Sequence, residues 1–223
     1  MIAGQGLAKL AAVYLLAAAQ ASCPILPAPK VTIDFTNNPP LEINDKTSAD
    51  LGQFHINTTF AHSRNEIFTV GGLTVSALEP QYHVLFNAAG DVAGPVCLSL
   101  AQVGIDVNYA PRIYIASEAK AGSCRYKVTL QHEVRHVNTD IITFNEYLPQ
   151  MAAAVQQAID RMPPLPPIPA ENEIDVQNRV MDLVRAALVQ KTDELEQVRA
   201  ARQQMIDTRA EYLRGSALCR DEK

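Results

Sequence analysis

The first half of the chain contains short runs in which apolar and polar residues alternate, and this pattern predicts β-strands. Pro111 stands at the entry of the last run, so we expect residues 97–109 and 112–117 to form an antiparallel pair. The predicted strands lie in VTIDF (31–35), in two short runs around Gly71-Gly72 (66–78), in YHVLFN (82–87), in CLSLAQVGIDVNY (97–109) and in RIYIAS (112–117).

After Cys124 the apolar residues recur at steps of three and four, which is the period of an α-helix. This spacing predicts one helix over residues 127–161, with a kink near Pro149. The tract MPPLPPIPA (162–170) is too rich in proline to be helical and is predicted to be a stiff, extended spacer. A proline ligand for a signalling domain is the alternative. A second amphipathic helix is predicted over residues 172–207.

The fold class that follows is α+β. An antiparallel, β-rich half precedes a long helix, and a second long helix folds back on the first as an antiparallel hairpin. We assign residues 22–125 to the β-rich part and residues 126–215 to the helical part. The length suits one structural unit over residues 22–223.

Residues 1–21 have the features of a secretory signal peptide. LAAVYLLAAA (10–19) is a short apolar core, and AQA (19–21) ends it with small residues. The core is too short to span a bilayer, and we expect no transmembrane segment elsewhere. Cleavage after this segment predicts an exported protein, periplasmic or secreted. The alternatives are a buried N-terminal helix and a lipid anchor at Cys23, which Gln20 disfavours because a lipoprotein signal carries a large aliphatic residue there.

Four cysteines remain after such cleavage, and an even number in an oxidising compartment predicts two disulfides. Cys97 and Cys124 flank the predicted strand pair, so we expect them to pair, leaving Cys23 to pair with Cys219. Free or metal-binding thiols are the alternative, but no two cysteines have the close spacing of a zinc knuckle.

The charge balance narrows the choice of partners. The chain has 19 Lys and Arg against 24 Asp and Glu, a formal net charge of −5 at pH 7. The basic residues form no cluster, so a nucleic-acid partner is not expected. Apolar residues make up 48% and charged residues 19%, which is typical of a globular protein.

The first predicted helix contains His132-Glu133-Val134-Arg135-His136, an H-E-x-x-H pattern. Two histidines one turn apart have Cβ atoms about 5–6 Å apart, so both imidazoles can bind one Zn²⁺ ion. Glu133 is placed to take a proton from a water molecule that the metal activates. The apolar stripe of the helix lies opposite, so we expect the histidines to face away from its packing partner and Arg135 to point to solvent. A chance match on a solvated helix is the alternative.

A catalytic zinc ion needs a third protein ligand, and the sequence leaves it open. Glu194 and Glu196 are the nearest acidic candidates if the two helices pair about the proline tract. Glu173 and Asp175 are the alternatives if the helices pack differently. Asp140 lies too far along the helix to bind the same ion, so we expect it to orient the second histidine of the motif.

The other histidines and two tyrosines are weaker candidates. His55, His62 and His83 are isolated, so each is expected to be a surface or core residue and not a metal ligand. Tyr114 and Tyr147 carry hydroxyl groups suited to stabilising an oxyanion, although their spacing does not single them out.

Cys97, RIYIASE (112–118), GSCRYKVTLQHEVRHVNTD (122–140) and, more weakly, IDTRAEY (206–212) form a set that extends beyond the motif. Together they resemble a bacterial family of exported proteins regarded as secreted zinc-dependent proteases. The resemblance implies that both motif histidines bind zinc and that Glu133 is the catalytic acid/base. It implies no third ligand.

These observations predict an exported zinc-dependent metallopeptidase that acts on a peptide or protein substrate, with Glu133 as general base. The strand at 112–117 is expected to offer an edge along which an extended substrate aligns. One alternative is a non-catalytic exported binding or structural protein with a structural or vestigial metal site. Another is a cell-wall amide hydrolase, which shares the chemistry and differs in substrate.

Overall fold

A computed structural model of the chain describes residues 23–24, 27–54, 70–78, 80–90 and 94–220. Strands occupy the N-terminal half and long helices follow, which confirms the predicted α+β class. The strands are β1 (Lys30–Asn37), β2 (Leu41–Ile43), β3 (Gly72–Val75), β4 (Gln81–Ala89), β5 (Cys97–Tyr109) and β6 (Arg112–Ile115), and the helices are α1 (Ser48–Leu51), α2 (Cys124–Asp160), α3 (Glu173–Ile206) and α4 (Arg209–Leu218).

The predicted signal peptide lies outside the described residues. None of the helices within the described ranges has a stretch long and apolar enough to cross a membrane.

The six strands of the described residues form two three-stranded sheets, both of them mixed. One has the order β1-β5-β4, with β1 parallel and β4 antiparallel to β5. The other has the order β2-β6-β3, with β2 parallel and β3 antiparallel to β6. The expected antiparallel pairing of residues 97–109 with 112–117 is therefore wrong. Ala110 and Pro111 separate β5 from β6 without reversing the chain direction, so β6 continues into the second sheet. β1 and β2 follow the same course, with β1 beside β5 and β2 beside β6.

The two long helices form the predicted antiparallel hairpin. α2 begins after Ser123, whose hydroxyl accepts a hydrogen bond from the backbone N–H of Tyr126, and it runs through Pro149. Burial of apolar side chains holds the helices to each other and to the sheet. The main core draws these residues from β5, α2 and α3: Val103, Ile105, Val107, Val137, Phe144, Leu148, Val155, Val180, Val184, Leu188 and Leu195.

The proline tract between the helices contains no α-helix, as predicted, and its Ile168 pairs with Val96, the residue before β5. The backbone groups of Ile168 and Val96 exchange two hydrogen bonds, at N···O distances of 2.7 and 3.0 Å. Across the hairpin Arg199 binds Asp140 and Gln203 binds His136, so α3 begins beyond the end of α2 and is displaced along its axis.

Two disulfides are present among the described residues, and their pairing differs from the prediction. Cys23 is bonded to Cys97, and Cys124 is bonded to Cys219. The first pair follows from the parallel register of β1 and β5, which brings the chain before β1 to the start of β5. The second forms because α4 returns along α2 and ends beside its first residue. Both arrangements depend on long-range contacts that cysteine spacing does not reveal.

Candidate metal centre

The histidine pair lies on α2 as predicted, one turn apart. The Nε2 atoms of His132 and His136 are 3.2 Å apart, and their ring centroids are 4.9 Å apart. The expectation that both rings face away from the packing partner of α2 is wrong. They face the last turn of α3 and the start of α4, because that part of the partner presents polar side chains and not apolar ones.

Asp207 completes a group of three side chains. It lies between α3 and α4, where the backbone leaves helical geometry. Its Oδ1 atom is 3.0 Å from Nε2 of His132 and 3.2 Å from Nε2 of His136. The three side chains are almost buried, with 13%, 9% and 7% of His132, His136 and Asp207 exposed. Burial raises the pKa of Asp207, but its interactions with the two imidazoles outweigh this effect and lower the pKa below its ordinary value.

The geometry of this group fits a divalent metal ion. Ligand atoms about 2.0–2.1 Å from a zinc ion at tetrahedral angles lie about 3.3 Å apart. The three distances among His132, His136 and Asp207 are 3.0, 3.2 and 3.2 Å. Two imidazole nitrogens and one carboxylate oxygen form a donor set that zinc accepts, and three protein ligands are characteristic of catalytic zinc sites.

The predicted third ligands lie elsewhere on α3. Glu194 forms an ion pair with Lys191, and Glu196 forms one with Arg199. The displacement of α3 along α2 is the reason, because it brings Asp207 opposite the motif in place of residues nearer the middle of the helix. Glu173 and Asp175 are in the first turn of α3, far along the hairpin from the motif.

Gln203, in the last turn of α3, contacts the other nitrogen of the second histidine. Its Oε1 atom lies within hydrogen-bond distance of Nδ1 of His136, and its Nε2 donates to the backbone oxygen of the same residue at 3.0 Å. Asp140 was predicted to orient His136 directly, but the contact to Nδ1 of that histidine comes from Gln203. Gln203 stands between the two residues, because its Nε2 also donates to Oδ1 of Asp140.

The Nδ1 atom of His132 faces a charged pair from α2 and α4. Arg135 is half-exposed and turns towards this ring instead of pointing only to solvent, with Nη2 at 3.0 Å from Nδ1. The same guanidinium forms an ion pair with Glu211, whose Oε1 is 3.7 Å from Nδ1. Because a guanidinium only donates, Nδ1 of His132 accepts the hydrogen bond from Arg135 and Nε2 carries the ring hydrogen, which a metal bound through Nε2 would displace.

Glu133 is buried between α2 and β3. Its Oε2 atom accepts a hydrogen bond from the hydroxyl of Thr74 at 2.9 Å. Burial raises the pKa of Glu133, while the charges of His136 and His132 act in the opposite direction. The close approach of β3 requires Gly72, since a Cβ atom there would lie 2.7 Å from Oε1 of Glu133 and 2.4 Å from Cγ2 of Thr129.

Tyr212, on α4, is a further residue at the centre that the motif did not indicate. Its hydroxyl donates to Oδ1 of Asp207 at 3.1 Å, and its ring lies 5.7 Å from that of His132. Burial, with the nearby charge of Asp207, raises the pKa of this phenol. A neutral hydroxyl beside the three ligand atoms is a hydrogen-bond donor for an oxygen that gains negative charge.

The remaining sequence candidates do not belong to this group. His83 is half-exposed and lies 3.4 Å from Asp106, as expected for a surface residue. Tyr114 packs in a separate small core, and Tyr147 packs against the main core. His55 and His62 lie outside the described residues.

Asp207, Glu211 and Tyr212 all come from IDTRAEY, the segment that carried the weaker part of the family resemblance. Helical periodicity gave no signal for them, because they lie at or beyond residue 207, where the second predicted helix ends. No family model, curated protein or solved structure matches this chain.

Proposed function

We propose that this chain is an exported zinc-dependent hydrolase that cleaves peptide bonds. The observation that carries the proposal is the mutual spacing of 3.0–3.2 Å among ligand atoms of His132, His136 and Asp207, with Glu133 beside them on α2. A hydrogen-bonded polar cluster without metal is the competing explanation, but it gives no reason for a buried glutamate next to the same three residues.

The ligands and Glu133 divide the chemistry between them. A zinc ion held by His132, His136 and Asp207 would polarise the scissile carbonyl and lower the pKa of water. The carboxylate of Glu133 takes the proton of the attacking water and passes it to the leaving amine. Thr74 holds one oxygen of that carboxylate in place. The hydroxyl of Tyr212 donates to Asp207 in the free protein, and on turning to the substrate oxygen it would donate a hydrogen bond there as that oxygen gains charge.

A strand beside the centre supports a peptide as substrate. The strand at 112–117 cannot serve as the predicted edge, because β6 is paired on both sides, with β2 and β3. β3 is the strand that approaches Glu133, and within the described ranges it pairs only with β6. A peptide that added to β3 as a further strand would lie beside Glu133.

Two further features fit action outside the cytoplasm. The disulfides Cys23–Cys97 and Cys124–Cys219 are expected in an oxidising compartment, either periplasmic or extracellular. The signal-like N-terminal sequence gives a route to that compartment.

A structural metal site is the second candidate. Two observations support it. The side chains of His132, His136 and Asp207 are almost buried, and they come from α2 and from the junction of α3 with α4, which a bound metal would link. A structural ion couples strongly to the melting temperature and leaves no open position for a chelating inhibitor. Such a protein would bind a partner or serve as a scaffold without turnover.

The test compares Glu133→Gln with wild type and with Glu146→Gln, an exposed glutamate on the same helix that forms an ion pair with Arg202. Zinc-loaded proteins are assayed on a quenched-fluorescent peptide library and titrated with a hydroxamate. We expect Glu133→Gln to keep zinc and to lose turnover by more than about 100-fold, since general-base catalysis contributes about 10²–10⁴-fold. Glu146→Gln should behave as wild type.

Turnover that survives in Glu133→Gln would contradict the assignment of the base. Wild-type protein that holds zinc, binds no hydroxamate and cleaves no peptide would favour the structural site.

A further inference from the structure

The amide of Gln203 is held in one orientation by the groups around it. The side chain is 5% exposed, so its partners are protein atoms and not bulk water. Its Nε2 faces the backbone oxygen of His136 and the carboxylate of Asp140. Both of these oxygens only accept hydrogen bonds, so the donating NH₂ group must point at them and Oε1 must point away from them.

The orientation of Gln203 fixes the tautomer of the neighbouring imidazole. Oε1 is an acceptor and lies against Nδ1 of His136, so Nδ1 must carry the hydrogen. In the neutral ring Nε2 is then unprotonated, and its lone pair faces Asp207 and His132. A histidine binds a metal through such a lone pair, and the hydrogen bond of the other nitrogen selects which one is free.

Asp140 anchors Gln203 because it is itself fixed on every side. It is 1% exposed, and Arg199 binds it through two hydrogen bonds, Nε to Oδ1 at 2.7 Å and Nη2 to Oδ2 at 2.8 Å. The hydroxyls of Tyr109 and Ser76 donate to the same carboxylate at 2.9 and 3.1 Å. With every surrounding group acting as a donor, Asp140 is an acceptor for Gln203 and prevents its amide from turning over.

We propose that Gln203 is a positioning residue, which relays the fixed orientation of Asp140 to His136 and holds that imidazole in its metal-binding tautomer. The proposal rests on the zinc site of the proposed function. Gln203 touches neither metal nor substrate, and it acts through the histidine alone. Outer hydrogen-bond partners of this kind typically change metal affinity 10–100-fold when they are replaced.

The alternative is that Gln203 only fills space and satisfies buried polar groups. Gln203→Met has nearly the same shape but lacks a strong acceptor for the Nδ1 hydrogen. Gln203→Asn stays polar and is too short to reach the ring, so it carries the test if the methionine variant does not fold. Gln190→Met, at an exposed position of the same helix, is the matched control.

The experiment measures zinc affinity by competition with a chromophoric chelator, using the full disulfide-bonded chain. Proton NMR of the zinc-loaded protein follows the hydrogen on Nδ1 of His136, and the melting temperature of the zinc-free protein is recorded for each variant. We expect both Gln203 variants to bind zinc about 10–100-fold more weakly and to lose the slowly exchanging Nδ1 signal, while Gln190→Met changes neither.

A purely structural role would lower the melting temperature and leave both the affinity of the folded protein and the Nδ1 signal unchanged. That result would overturn the role of Gln203 and leave the zinc site in place. Wild-type protein that binds no zinc would overturn this inference together with the proposed function.

Discussion

The Oδ1 atom of Asp207 lies 3.0 Å from Nε2 of His132, although 75 residues separate them in the sequence. The hairpin register creates this contact, because it sets the end of α3 opposite the third and fourth turns of α2. The same register brings Gln203 to His136, and the start of α4 brings Glu211 and Tyr212 to the same place. The centre is therefore a product of the register of α3 against α2.

The closeness of β3 to α2 predicts a different result for two adjacent glycines. Gly72→Ala places a Cβ atom 2.4 Å from Cγ2 of Thr129, whereas the nearest atom to a Cβ at Gly71 is 3.8 Å away. We expect Gly72→Ala to lower the free energy of unfolding by about 1–3 kcal/mol, the usual cost of overpacking, and Gly71→Ala to have little effect. Urea denaturation measures both. Equal stability of the two variants would show that β3 is not in tight contact with the helix.

The two disulfides are predicted to differ in their effect on metal binding. Cys124–Cys219 ties the end of α4 to the start of α2, and α4 is the helix that carries Glu211 and Tyr212. Cys23–Cys97 lies at the start of β5. Replacing either pair by serine should cost about 2–5 kcal/mol of stability. Only the loss of Cys124–Cys219 should also weaken zinc binding, by about 10-fold or more. A chelator competition assay on both double variants checks this, and equal affinities would contradict it.

The ion pairs of Glu211 predict a pH-dependent contribution to stability in the zinc-free protein. Arg214 and Arg135 hold the pKa of this carboxyl at about 2, below its ordinary value of 4.5. A carboxyl with a lowered folded-state pKa stabilises the fold at pH values above its unfolded-state pKa. This stabilisation is lost as the pH falls from the unfolded-state pKa to the folded-state pKa. Glu211→Gln should therefore be less stable than wild type near neutral pH, and the difference should shrink between about pH 4.5 and about pH 2.

Urea denaturation at several pH values in the presence of chelator measures this difference. Glu171→Gln, an exposed carboxyl outside this ion-pair group, is the control. A difference between Glu211→Gln and wild type that stays constant with pH would rule out the proposed linkage.

Local patterns predicted the elements of the fold well. Alternation located β5 at Cys97–Tyr109, and the helical period located α2 and α3 with the proline tract between them. Each of these features depends on neighbouring residues alone, through backbone preference and the burial of one face. The H-E-x-x-H pair could be found for the same reason, since one helical turn defines it.

The short elements β2, α1 and α4 were not predicted. The strand order, the disulfide pairing and the position of the third acidic side chain were not predicted either, and these depend on long-range pairing. The parallel pairing of β1 with β5 joins segments 72 positions apart in register, as in Lys30 with Gln102, and it determines the Cys23–Cys97 bond. The third member of the group, Asp207, depends on the register of α3 against α2, in which Gln203 meets His136. About three helical turns separate Asp207 from Glu196, and no periodicity in the sequence records that shift.

Asp207 is proposed to join His132 and His136 in holding a zinc ion. The most direct measurement is the zinc content of chain 22–223, purified without chelator, for wild type and for His132→Ala, His136→Ala and Asp207→Asn. Asp193→Asn, an exposed aspartate on α3, is the matched control. We expect near-stoichiometric zinc in wild type and in the control, and none in the other three. Zinc retained by folded Asp207→Asn, or absent from wild type even after titration, would contradict the claim.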